Sequence, residues 1–150
     1  MNNREIVHTL MNHIQKGEID KARTLLSDDF RFSGPVPQPI NAEEWLGMTA
    51  SLRTAFPDLN YNFNIQNEKG DVVMATTQLS GTHRADFDLT NMEMGVIPAT
   101  NKAFRTDRED TKITVRGNKI ISWAAEPIEG AGLMAILKQL GVEVPAMQQA

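Results

Sequence analysis

The sequence predicts an α+β domain, with helices gathered on one face of an antiparallel sheet. Two observations carry that expectation. As far as Phe56, apolar residues recur at helical spacing between capping, glycine and proline residues. From Tyr61 onward the period shortens to two, and turn signals separate one strand-like run from the next. The 150 residues suit a single domain, residues 1–150, with one sizeable core; no repeat, low-complexity run or linker interrupts them.

Ile6, Val7, Leu10, Met11 and Ile14 define a first helix, ended by Gly17. Ile19, Ala22, Leu25 and Leu26 mark a shorter second helix that stops at Ser27-Asp28-Asp29, and Phe30-Arg31-Phe32 is a short extended piece. The prolines of Gly34-Pro35-Val36-Pro37-Gln38-Pro39 exclude a helix there, because they lack donors and push their predecessors to extended shapes. Asn41, with Glu44 in the capping-box place, starts a third helix. Trp45, Met48, Leu52, Ala55 and Phe56 form its stripe, and Pro57-Asp58 stops it.

Tyr61, Phe63 and Ile65 alternate with Asn62, Asn64 and Gln66 as a half-buried strand, and Glu68-Lys69-Gly70-Asp71 turns it. Val72 to Thr82 reads as one long strand, with Val73, Ala75, Thr77, Leu79 and His83 on one side. Asp86 to Leu89 is a short strand, followed by a loop through Pro98. Ala103 to Val115 is a further strand, Arg116-Gly117-Asn118-Lys119 a turn, and Ile120 to Glu126 the return strand. Glu129-Gly130-Ala131-Gly132 leads to a last short helix carrying Leu133, Ile136, Leu137 and Leu140, closed by Gly141.

The net charge of -4, with no long block of one sign, argues against nucleic acid as a partner. Without cysteine there is no disulfide, thiolate metal site or cysteine nucleophile. No apolar run has signal-peptide or membrane-span character, so the expectation is a cytoplasmic protein with no membrane contact. No phosphate loop, nucleophile elbow or zinc repeat is present, and His8 and His13 do not stack on one helix face; neither cofactor nor metal is expected.

The order and wording of several segments resemble the nuclear-transport-factor-two-like superfamily, and within it the SnoaL-like polyketide cyclases. These segments are Leu25 through Phe30, Ala55-Phe56-Pro57-Asp58-Leu59, Ser80-Gly81-Thr82-His83, Pro98-Ala99-Thr100-Asn101-Lys102, Gly117-Asn118-Lys119-Ile120, and Gly132-Leu133 through Leu140-Gly141. The resemblance implies a cone, the cystatin-like form in which a strongly curved sheet wraps a pocket that helices close. It also implies a homodimer, a small apolar organic ligand, and cofactor-free acid/base chemistry such as cyclisation, isomerisation or dehydration. The family's general acid/base aspartate, late in the last strand, falls here on Ala125.

An alanine moves no proton, so another group must supply the acid. Ile113 and Val115 should face the core, and period two puts Glu109 on their side. A three-residue connection with a bulge would set Glu109 beside Ala125; a two-residue connection would set it opposite Glu126. Glu126 itself faces away unless a bulge turns it inward. Against this stands a solvated reading, because Arg105 to Lys112 is mostly charged. His83, at a strand end, could hold a carbonyl or shuttle a proton, or simply bond backbone. Trp45, Trp123 and Phe32 are core residues that could also line the pocket, and Met94 could fill its loop side. Asp58 closes a turn or reaches the pocket. Three functions stay open: a cofactor-free enzyme, a non-catalytic carrier, and an interaction module with a vestigial pocket.

Overall fold

The computed structural model describes residues 2–34, 39–89, 95–126, 128 and 130–142. Helix α1 (Asn3–Lys16) starts at a full capping box, in which the Asn2 side chain takes the Glu5 amide and Glu5 takes the Asn2 amide. It ends at Gly17 in the left-handed region, φ 75°. Ile6, Val7, Leu10, Met11 and Ile14 are all buried. Helix α2 is shorter than its apolar spacing predicts, covering only Ile19–Arg23. Leu26 leaves it and opens strand β1 (Leu26–Ser33). The reason is non-local: the Leu25 carbonyl accepts the Ile120 amide, and Leu26 lies opposite Ile120. A sheet partner satisfies the backbone there that a further helical turn would have satisfied.

Helix α3 (Ala42–Ala55) has the second full capping box, from Asn41 and Glu44, and buries Trp45, Leu46, Thr49, Leu52 and Ala55. Strand β2 (Asn64–Lys69) starts later than the alternation predicts. Asn62 sits at φ 46°, held by the Asn60 side chain and by its own bond to the Gln78 carbonyl, so residues 61–63 approach the ladder without joining it.

The single strand expected from Val72 to Thr82 is two, β3 (Val72–Thr77) and β4 (Ser80–Thr82). After β5 (Phe87–Asp88), the expected loop contains β6 (Val96–Ile97), paired with β5. The strand expected from Ala103 to Val115 is likewise split into β7 (Ala103–Arg105) and β8 (Glu109–Arg116). The two breaks face each other. Leu79 and Thr106 exchange bonds, the Thr106 amide to the Leu79 carbonyl and the Leu79 amide to the Thr106 hydroxyl, while the Gln78 side chain donates to the Thr106 carbonyl. The ribbon therefore bends as a pair and continues as the separate β4–β7 ladder. Strand β9 (Lys119–Ala125) and helix α4 (Leu133–Gln139) complete the order, and the Gln139 amide clips the backbone of Arg105 through both its oxygen and its nitrogen.

The main sheet has the order β1-β9-β8-β3-β2, antiparallel except for β1 against β9. Gly117 and Asn118, at φ 59° and 63°, form the two-residue turn between β8 and β9, as a type I′ hairpin requires. Then a bulge inserts Ile121: Val115 pairs with Ile120, but Thr114 pairs with Ser122. The two-residue register holds as far as Val115–Ile120 and is lost beyond the bulge, so neither expected pairing of Glu109 results. Ile113 meets Trp123, Thr111 meets Ala125, and the Glu126 amide bonds the Asp110 carbonyl, so Glu109 lies across from neither Ala125 nor Glu126. The bulge keeps Ile120, Trp123 and Ala125 all on the buried face. Helices α1 and α3 cover that face. Among the described residues, no helix is long and apolar enough to cross a membrane.

Candidate functional site

The buried face of the sheet carries a continuous row of aromatic rings. Trp45 on α3 stands at its centre, 5.3 Å from Phe30, 6.1 Å from Phe32 and 5.5 Å from Trp123 between ring centroids. Trp123 continues the row to Phe63 at 5.9 Å. Phe32, Trp45 and Trp123, expected to line a pocket, are thus brought together from β1, α3 and β9, each well buried. They pack on one another, and none of the three lines either groove described below. Ala125 follows Trp123 on the same face, beside Thr111 and against Gly34.

Glu109 starts β8 on that face, where the alternation Glu109, Thr111, Ile113, Val115 is buried throughout and Asp110, Lys112 and Arg116 are exposed. The solvated reading holds for the exposed alternate residues and for Asp107, and fails for Glu109. Its relative exposure is 9 %. Among the described residues its Oε2 has no hydrogen-bond partner, and burial pushes its pKa up to about 7, opposed by a hydrogen bond from Thr77 across the ladder. A buried carboxyl whose pKa is pushed up to about 7, with one oxygen unengaged, can both give and take a proton.

His83 is fully buried in a different setting. Its ring lies 5.3 Å from Phe56 and 6.4 Å from Phe87. Nδ1 accepts the Thr100 amide at 3.2 Å and lies 3.0 Å from the Thr100 hydroxyl. An amide can only donate, so Nδ1 is an acceptor and the ring proton resides on Nε2. Nε2 has no hydrogen-bond partner among the described residues, although the Ala85 carbonyl, the Asp86 charge and the Ile97 carbonyl favour the charged ring. Burial outweighs them and lowers the pKa. The backbone of His83 also holds the same loop, through Lys102 and Asn101. Both of its roles seen here tie residues 97–102 to β4, and no hydrogen bond among the described residues joins it to Glu109.

The other candidates are placed apart. Glu126 is exposed, its amide spent on Asp110. Asp58 is exposed and bonds forward as well as to its own backbone amide, Oδ1 accepting from the Thr82 amide at 2.7 Å and Oδ2 from the Thr82 hydroxyl at 2.9 Å. Those bonds hold its pKa below the ordinary value. It borders an open groove of about 510 Å³ shared with Arg53 and Lys16, outside the aromatic row. Met94 lies outside the described residues. Among the described residues, no group of His, Asp and Glu side chains is arranged to hold a metal ion.

The sequence gives Tyr61 no role beyond the alternating strand that starts there. Tyr61 is buried, but its hydroxyl meets no hydrogen-bond partner among the described residues, and burial pushes its pKa up. Flanking asparagines at 60 and 62 were the available signal, since they mark irregular backbone where a regular strand was expected.

The chain resembles solved structures along nearly its whole length. A candidate SnoaL-like polyketide cyclase from Jannaschia sp. CCS1 superposes with a TM-score of 0.70 at 21% identity, covering 95% of this chain and 93% of the other. IdmH, a candidate polyketide cyclase from Streptomyces antibioticus, gives 0.68 at 22% identity, covering 95% and 100%. A protein of ketosteroid isomerase-like fold from Catenulispora acidiphila, in complex with trimethylamine, gives 0.64 at 17% identity, covering 93% and 94%. At these identities the likeness shows the fold. No curated protein matches the chain. The sequence model of the SnoaL-like polyketide cyclases, however, matches residues 4–140, from the first turn of α1 through the end of α4. That match, together with the bent sheet and its helical cover, places the chain in the SnoaL-like polyketide cyclase family.

Proposed function

We propose that this protein takes a small, largely apolar organic molecule against the Trp45–Trp123 row, and that Glu109 moves a proton to or from it without a cofactor. The unpartnered, buried Oε2 of Glu109 is the observation that carries this reading. Ala125 leaves the family's acid position empty of acid; Glu109, two residues from Thr111 on the same face, offers a carboxyl nearby. Cyclisation, isomerisation and dehydration all need such a group, poised near neutral pH. In this reading Trp45, Trp123 and Phe32 shape the apolar wall. His83 positions the 97–102 loop, and Glu126 and Asp58 stay outside the chemistry.

The test is deuterium exchange at the acidic C–H of apolar 1,3-dicarbonyl compounds, followed by NMR. The wild-type protein should accelerate exchange with an apparent pKa of about 7. Glu109→Gln should lower the acceleration by roughly 10²-fold or more. Equal rates for the two proteins would refute the assignment. A carrier without chemistry is the second reading, favoured by Ala125; it predicts that both proteins bind the same compounds and that neither speeds exchange. The reading also includes a homodimer through the outer sheet face, where Val72, Met74 and Ala124 are only half-buried, and sedimentation would test it.

A further inference from the structure

Tyr61 is the one tyrosine of the chain. It is about nine-tenths buried, yet its hydroxyl has no hydrogen-bond partner among the described residues. A buried donor left unpaired is unfavourable, and native proteins rarely leave one without cause. The backbone around it is fixed from both sides. The Tyr61 amide donates to Gln15 Oε1 at 3.0 Å, and its carbonyl accepts the Gln78 amide at 2.9 Å. The Gln15 side chain also donates to the Leu59 carbonyl. The next residue, Asn62, holds a left-handed conformation at φ 46°, supported by the Asn60 side chain and by its own side-chain bond to the Gln78 carbonyl across the ribbon. So the ring is held in place by a set of bonds that stabilise nothing at its own polar end.

Tyr61, Phe63, Met11 and Gln15 help to wall a groove of about 240 Å³ between α1 and residues 60–63. Phe63 belongs to both the groove and the aromatic row, through its contact with Trp123. The groove therefore abuts the wall assigned above to the bound molecule.

We propose that Tyr61 donates its hydroxyl hydrogen to an oxygen of the bound molecule, a carbonyl or enolate oxygen, brought in along the groove between α1 and residues 60–63. This rests on the small-molecule reading of the site, but not on Glu109 as its proton carrier. It narrows the ligand class to apolar molecules that carry an oxygen acceptor. Burial keeps the phenol protonated, with only a weak opposing pull from Arg53, so the group acts as a donor and not as a base. A fixed donor in an apolar setting is the kind of group that stabilises negative charge developing on oxygen.

The single tyrosine makes the test specific. Protein labelled with ¹³C at tyrosine Cζ is titrated with 2-acetylnaphthalene and with 2-isopropylnaphthalene, similar shapes with and without the oxygen. The acetyl compound should move the Cζ resonance and the isopropyl compound should not. Tyr61→Phe should weaken binding of the acetyl compound about tenfold and leave the other within about twofold. Its thermal midpoint should be unchanged or higher, because the hydroxyl it removes is unpaired. A lower midpoint, an unresponsive resonance, no binding of either compound, or equal loss for both compounds would overturn the proposal. If Glu109→Gln changes no exchange rate while the acetyl preference still depends on Tyr61, the proton-transfer reading falls and this one stands.

Discussion

Replacing Glu109 with glutamine separates the charge of this residue from its shape. Folding raises the pKa of the carboxyl from 4.5 to about 7, because burial disfavours the anion more than the Thr77 bond favours it. The folded chain therefore holds this proton more tightly than the unfolded chain. Its contribution to stability is fully present below pH 4.5, where both states are protonated, and is lost as the pH rises through about 7. The full difference corresponds to about 3 kcal/mol. Some solvent reaches the group, which brings the expected figure to about 2 kcal/mol. Glutamine keeps the volume and a bond to Thr77 but cannot ionise. Urea unfolding of both proteins from pH 4.5 to about pH 8 should show the glutamine variant gaining on the wild type by about 2 kcal/mol. The unsatisfied amide of glutamine adds a constant offset, so the pH-dependent part is the quantity to read. Parallel curves would mean that Glu109 ionises freely, and the buried-acid argument would fail with it.

Other perturbations follow from single contacts. Gly34 has φ 137°, and a Cβ there would come within 2.5 Å of the Ala125 carbonyl oxygen. Gly34→Ala should therefore lower stability by about 2–4 kcal/mol in thermal or urea unfolding, and a near-wild-type midpoint would contradict the close approach. Asp58→Ala removes both bonds to Thr82 and should destabilise by about 1–2 kcal/mol, with faster hydrogen exchange at the Thr82 amide as the local readout. His83 is held neutral, its folded pKa below 6.5. Its contribution is present above pH 6.5 and is lost as the pH falls through that lower value, so the amides of Thr100 and Asn101 should lose exchange protection in acid before the core does. Protection that stays constant relative to the core would show that the imidazole does not pin the loop. Trp123→Ala should cost about 3–5 kcal/mol, because Trp45 and Phe63 both lean on that ring.

What the sequence determined by itself is local. The capping residues Asn41 and Glu44, the apolar stripe from Ile6 to Ile14, the stop at Gly17 and the Gly117-Asn118 turn are written in residues a few positions apart. Their physics needs no distant partner. The face that Glu109 shares with Ile113 and Val115 was legible for the same reason, since strand alternation is a backbone property. Tertiary structure decided the rest. Leu26 joined the sheet because Ile120 was there to pair with it. The strand pairs broke at Gln78–Leu79 and Thr106 because each break satisfies the other's backbone. Beyond the two-residue turn, the bulge at Ile121 shifted the β8–β9 register by one, so Glu109 meets neither residue that loop length alone offered. Whether His83 meets a ligand or Thr100, and whether the oxygens of Glu109 and Tyr61 find partners, depends on what other segments bring to their side chains. Alternation can give a residue its face; only the assembled neighbours set its dielectric and its hydrogen bonds, and those fix its chemistry.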